Sequence, residues 1–88
     1  MTGSALIRKA LAARAAADAV APLIGQFTPA ERRVARLLAE GQRNREIGLA
    51  LGKSENTVKQ QVAGILRKLG LPNRGRATAA LHSRLDLF

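Results

Sequence analysis

The sequence predicts an all-α fold. Apolar residues recur at helical spacing, Thr28, Ser54 and Asn73 stand as N-caps before such runs, and no stretch alternates like a strand. With 88 residues the chain can bury one small core. Fifteen Lys and Arg against six acids give a formal charge of +9, a balance that favours a polyanionic partner. There is no Cys, which excludes disulfides and thiolate metal sites. One His, no Trp and no Tyr leave little for acid–base or nucleophilic catalysis, so no catalytic residue, metal ligand or cofactor is expected.

Residues 1–26 form a distinct segment, alanine-rich through "SALIRKALAARAAADAVAPLIGQ". Ser4 is the expected cap of a helix running to about Ala21, where Pro22 and then Gly25 stop it. Leu6, Ala10, Ala13, Ala17 and Val20 share a narrow arc, a shallow stripe that would pack on its own domain or on a second copy. Docking of another protein and membrane association are the competing readings. Arg14 and Asp18 interrupt any signal-peptide apolar region, and the longest uncharged run is too short to span a bilayer, so a cytoplasmic location and no membrane partner are expected.

Residues 27–88 form the second unit. In "FTPAERRVARLLAEG", Thr28 caps, Pro29 takes the first helical position and Glu31 closes a capping box. Val34, Leu37 and Leu38 form the buried face, Arg32 and Arg36 point away, and Gly41 ends the helix. "NREIGLAL" gives a short helix with Ile47, Ala50 and Leu51 inward, closed by Gly52. Gly48 lowers helix propensity there, and its expected use is close approach of a neighbouring helix. Ser54 opens a longer helix to Leu69, which Gly70 and Pro72 break. Asn73 caps a last one, about Arg74 to Leu85.

The third of these helices has two distinct faces. Val58, Val62, Ile65, Leu66 and Leu69 fall within about 100° of one another and form its core side. Opposite lie Asn56, Gln60, Ala63 and Arg67, flanked by Lys59 and Gly64. A face with amides for base edges, cations for phosphates and small residues at its centre suits a DNA major groove. With the short helix crossing before it, the pair reads as a helix-turn-helix at about 44–63.

The motifs "FTPAERRVARLLAEG", "NREIG", "LGKSENTVKQQVAGILRKLG" and "NR", in that order from Phe27 to about Arg84, resemble the LuxR-type (LuxR/FixJ/GerE) DNA-binding domain. The resemblance implies a four-helix domain preceded here by one alanine-rich helix. It implies binding to double-stranded DNA as a homodimer, with the third helix in the major groove and the fourth at the dimer contact. Carried over by position, Lys59, Gln60 and Ala63 face base edges, and Ser54, Thr57 and Lys68 approach phosphates. Asn56, Arg67, Arg43 and Arg45 join the phosphate set on their charge or polarity. The competing reading of Arg67 and Lys68 is that of end-of-helix cations favoured by the macrodipole. Thr78, Ala79 and His82 fall at the implied dimer contact, although a lone His on a last helix is ordinarily structural or solvated. A nucleoid-associated location follows from the DNA partner.

Three departures from the family pattern stand out. Arg43 occupies the position usually held by Ser or Thr, so the capping box with Glu46 is expected to be missing, with Asn44 or nothing as the cap. Glu46 would then be exposed or would pair with a cation such as Lys68. Gln61 stands where His is frequent, bordering the core side, and the last helix starts with Gly75 and Arg76, unfavourable near a helix N-terminus. Family members commonly carry a receiver or ligand-binding domain, whereas the alanine-rich segment precedes the domain here, so no sensor is expected within the chain. Two functions follow: a transcription regulator that binds DNA as a homodimer, or an interaction protein that modulates a longer regulator by forming a mixed dimer. RNA polymerase is a further partner the regulator reading admits.

Overall fold

The alanine-rich segment forms one long helix, α1, Thr2–Ile24, as expected of residues that lose no side-chain freedom on coiling. The computed structural model describes residues 2–88, side chains aside at 2, 3 and 13, so Met1 and the share of the predicted stripe that falls on Ala13 lie outside the described residues. Two expectations for α1 are corrected. Ser4 lies inside the helix and does not cap it, and the helix continues through Pro22 to Ile24. Pro22 withholds one backbone bond, and continuing past it places Ile24 in the core at 1% exposure, one turn beyond Val20 at 4%. The stripe is therefore buried only at its C-terminal end, while Leu6 and Ala10 are exposed.

Thr28 then caps α2, Pro29–Ala39, with the reciprocal box complete: the Glu31 amide donates to Thr28 Oγ1 at 3.1 Å and the Thr28 amide to Glu31 Oε1 at 2.9 Å. Val34, Ala35, Leu38 and Ala39 are buried, whereas the predicted Leu37 is only partly so. Arg32 does not point into solvent. Its guanidinium donates to the Leu87 carbonyl and lies 5.4 Å from the Phe88 ring centroid, holding the C-terminus under α2.

Helix α3, Asn44–Leu51, buries Ile47 and leaves Ala50 exposed, contrary to expectation. Its C-cap Gly52 has φ 66°, the left-handed conformation that lets the chain turn at once into α4, Glu55–Leu69. Gly48 serves this turn and not a neighbouring helix: a Cβ there would sit 2.6 Å from the Lys53 carbonyl oxygen. Helix α5, Arg74–His82, begins at the predicted Asn73 cap, whose Oδ1 accepts from the Arg76 amide at 3.0 Å. It ends before the predicted Leu85, since the chain bends at Ser83 into a 3₁₀ turn over Leu85–Leu87. Arg84 fixes that bend by pairing with Asp86 at 3.0 Å and donating to the Ala17 carbonyl of α1 at 3.4 Å.

Helices α2 and α5 pack together, α2 crosses α4, and α3 lies on α4. Leu38, Ile47, Val58, Ile65 and Leu81 meet at full burial in the middle. Among the described residues there is no strand, and no helix is long and apolar enough to cross a membrane.

Candidate nucleic-acid interface

The interface is built on α4, whose two faces follow from its periodicity. Val58, Val62, Ile65 and Leu69 anchor it in the core, and Asn56, Thr57, Lys59, Gln60 and Arg67 are exposed with Ala63 half-buried among them. Gly64 is an exception to the expected outward face: it is buried, and a Cβ there would lie 3.1 Å from Glu31 Oε2. Its missing side chain lets α4 approach the start of α2. After Glu55 in the first turn, α4 carries no acid.

The start of α4 is closed by Ser54. Its Oγ accepts from the Thr57 amide at 3.1 Å and its hydroxyl donates to Thr57 Oγ1 at 2.8 Å. Asn44 at the start of α3 and Glu55, Asn56 and Lys59 at the start of α4 line one open hollow of about 420 Å³. The positive ends of two helices converge there, with Arg43 and Arg45 exposed nearby on α3.

The start of α3 is held in a way the sequence did not suggest. Arg43 occupies the N-cap with no side-chain bond to offer, and Asn44 does not cap. Glu46 supplies half of a capping box, its Oε1 accepting from the Arg43 amide at 2.8 Å, so it pairs with backbone and not with Lys68. Asn44 instead accepts from Arg74 of α5, whose second guanidinium nitrogen donates to the Gln42 carbonyl at 2.6 Å. Arg74 follows the Asn73 cap, and its bidentate reach to residues thirty positions earlier leaves no local sequence signal. Across the turn, Lys53 Nζ donates to Gln61 Oε1 at 3.3 Å, which ties Gln61 to the core-side edge of α4.

Lys68 is turned inward. Its ammonium pairs with Glu31 and donates to the Gln26 carbonyl at 3.3 Å, with the Glu31 side chain only 13% exposed. Burial pushes the Glu31 carboxyl up, but hydrogen bonds from Lys68 and from the Thr28 amide and hydroxyl outweigh it and hold the group below its ordinary value. The Glu31–Lys68 pair thus joins the end of α4 to the start of α2.

On α5, Ala79 and His82 are exposed and Thr78 is half-buried. His82 Nδ1 lies 3.2 Å from the Ala39 carbonyl and donates there when protonated at that nitrogen. Among the described residues no three His, Asp or Glu side chains gather as a metal cluster.

Two helices joined by a tight glycine turn, the second showing an amide-and-cation ridge, define a helix-turn-helix DNA-binding domain. The chain belongs to the bacterial regulatory proteins of the LuxR family, whose profile matches residues 25–81. It is 42% identical over 60 residues to the two-component response regulator PprB of Pseudomonas aeruginosa, covering 68% of this chain and 22% of that protein. To the nitrate/nitrite response regulator protein NarL of Escherichia coli it is 37% identical over 59 residues, covering 67% of this chain and 27% of NarL. This chain thus spans well under a third of the length of either relative. No solved structure matches it. The family is one of DNA-binding regulators, not of enzymes.

Proposed function

We propose that the protein is a sequence-specific transcription regulator that binds duplex DNA as a homodimer, laying α4 in the major groove of each half-site. The observation that carries this reading is the outward ridge of α4, where Lys59, Gln60 and Arg67 stand exposed around the small Ala63 with no acid after the first turn. Lys59, Gln60 and Ala63 meet base edges, since they lie at the middle of the outward ridge with the small Ala63 admitting close approach. Ser54, Asn56 and Thr57 at the start of the ridge and Arg67 toward its far end hold phosphates, joined by Arg43 and Arg45 at the start of α3. Lys68 leaves the phosphate set, because its ammonium already serves Glu31 and Gln26. Thr78, Ala79 and His82 lie on the dimer side. Residues 27–88 read DNA, residues 1–26 serve assembly, and a duplex ligand places the protein with the nucleoid in the cytoplasm.

A salt-titrated binding assay on duplex fragments tests the reading. Displaced counterions should give a slope of log affinity against log salt of roughly −4 to −8 for a dimer, with preference for an inverted repeat whose half-site centres are about one helical turn apart. A flat slope, together with a stable mixed dimer formed with a longer regulator, would replace this function by the interaction role.

A further inference from the structure

We propose that α1 is a self-association helix. Two copies pair antiparallel through its projecting half, and Leu6 near its start seats in the groove between α1 and α5 of the other copy. This rests on the homodimer reading above and gives that dimer a second surface.

The molecule is 50 Å long and only 23 by 22 Å across, and residues 4–12 of α1 are exposed. Leu6 on that half is 68% exposed and lies on the seam, while Ile7 and Leu11, 62% and 61% exposed, stand about 100° and 140° round the helix from it. Leu6 and Ala10 continue the seam that Ala17, Val20 and Ile24 bring from the core, at the alternating three- and four-residue spacing by which helices pair. The docked half of α1 thus shows what the free half lacks, a helix to lie against.

A receptor of matching chemistry exists on the same chain. Ala16, Leu71, Ala79 and Ala80 line an apolar groove of about 340 Å³ between α1 and α5, with Arg76 and Ser83 at its edge. Ala79 is also one of the α5 positions assigned to the dimer. An antiparallel pairing with its two-fold axis near Leu11 brings Leu6 of each copy level with Ala16 and Ala17 of the other, at the wall of this groove. Knob and groove on one chain make a self-complementary contact, formed twice by a single two-fold axis.

Sedimentation equilibrium and cross-linking test the pairing. Leu6→Asp changes an exposed side chain, so the monomer should fold normally by circular dichroism while the dimer dissociation constant rises about a hundredfold, the contact being lost twice. Because the chain has no Cys, a Leu6→Cys chain mixed with an Ala16→Cys chain should give a disulfide-linked mixed dimer under diamide, and Leu6→Cys mixed with Arg33→Cys should not. A monomeric wild type, a Leu6→Asp dimer as tight as wild type, or the absence of the Leu6→Cys/Ala16→Cys product would overturn the inference. If Leu6→Asp leaves the dimer intact and DNA binding keeps its salt slope, this pairing fails and the regulator reading stands. If Leu6→Asp abolishes the dimer while wild type shows no salt-dependent DNA binding, the pairing stands and the regulator reading fails.

Discussion

Gly48 shows how one missing atom shapes the helix-turn-helix. A Cβ at that position would lie 2.6 Å from the Lys53 carbonyl oxygen, a backbone atom that cannot swing aside, so the α3–α4 turn must open to admit it. Alanine would gain helix propensity of nearly 1 kcal/mol, yet overpacking against backbone exceeds that gain, and Gly48→Ala should lose about 1–3 kcal/mol in a urea melt. An unshifted midpoint would mean that the turn relaxes freely. The Glu31–Lys68 pair gives a second residue-scale test. The folded Glu31 carboxyl titrates below its unfolded value of 4.5, so its stabilisation is fully present above that pH and is lost as the pH falls through the folded value. Glu31→Gln should flatten the acid side of the stability profile below about pH 4.5 and leave neutral-pH helix content unchanged. On DNA, Lys59→Ala should cost about 1–3 kcal/mol on the best site and little on random duplex. Lys68→Ala should lower the melting point and leave the salt slope unchanged; a slope reduced by about one unit per subunit would return Lys68 to the phosphate set.

At the scale of elements, α3 is short, lacks a side-chain cap and depends on α5 for its start. Arg74 holds both the Asn44 side chain and the Gln42 carbonyl, so the first helix of the helix-turn-helix is clamped from the far end of the domain. Arg74→Ala should remove two charge-assisted bonds and cost about 2–4 kcal/mol of stability, with amide exchange accelerated first at residues 44–46. Arg74→Lys, with no planar fork, should recover only part of the loss. Equal exchange throughout the domain in Arg74→Ala would show a general loss of packing and no local clamp. The capping boxes tell the complementary story. Thr28 with Glu31 forms the full reciprocal pair, whereas Arg43 with Glu46 forms only the half that a carboxylate can supply to a backbone amide.

At the scale of the molecule, α1 belongs to two environments. Ile24 is 1% exposed within the common core and Leu6 is 68% exposed on the projecting half. Ile24→Ala should therefore cost about 2–5 kcal/mol, while Leu6→Ala should change the stability of the monomer by less than about 0.5 kcal/mol. Thermal or urea melts at low protein concentration distinguish the two. A small effect at Ile24 would detach α1 from the cooperative unit. The surface charge works at this scale too, since +9 spread over one small domain draws polyanions toward it, as the proposed duplex ligand requires.

The sequence by itself determined the all-α class, the starts of α2, α4 and α5, the glycine ends of α3 and α4, and the two faces of α4. These are local properties: a Ser, Thr or Asn oxygen caps an amide three residues away, and helical periodicity sorts a single helix into sides. Only the tertiary structure decided where Lys68, Arg32 and Arg74 go, because a long cation is drawn to whichever carboxylate, amide or carbonyl the fold brings within reach, here Glu31, Asn44 and the carbonyls of Leu87, Gln42 and Gln26. It also carried α1 past Pro22, since burying Ile24 against the other helices outweighs the backbone bond that proline withholds.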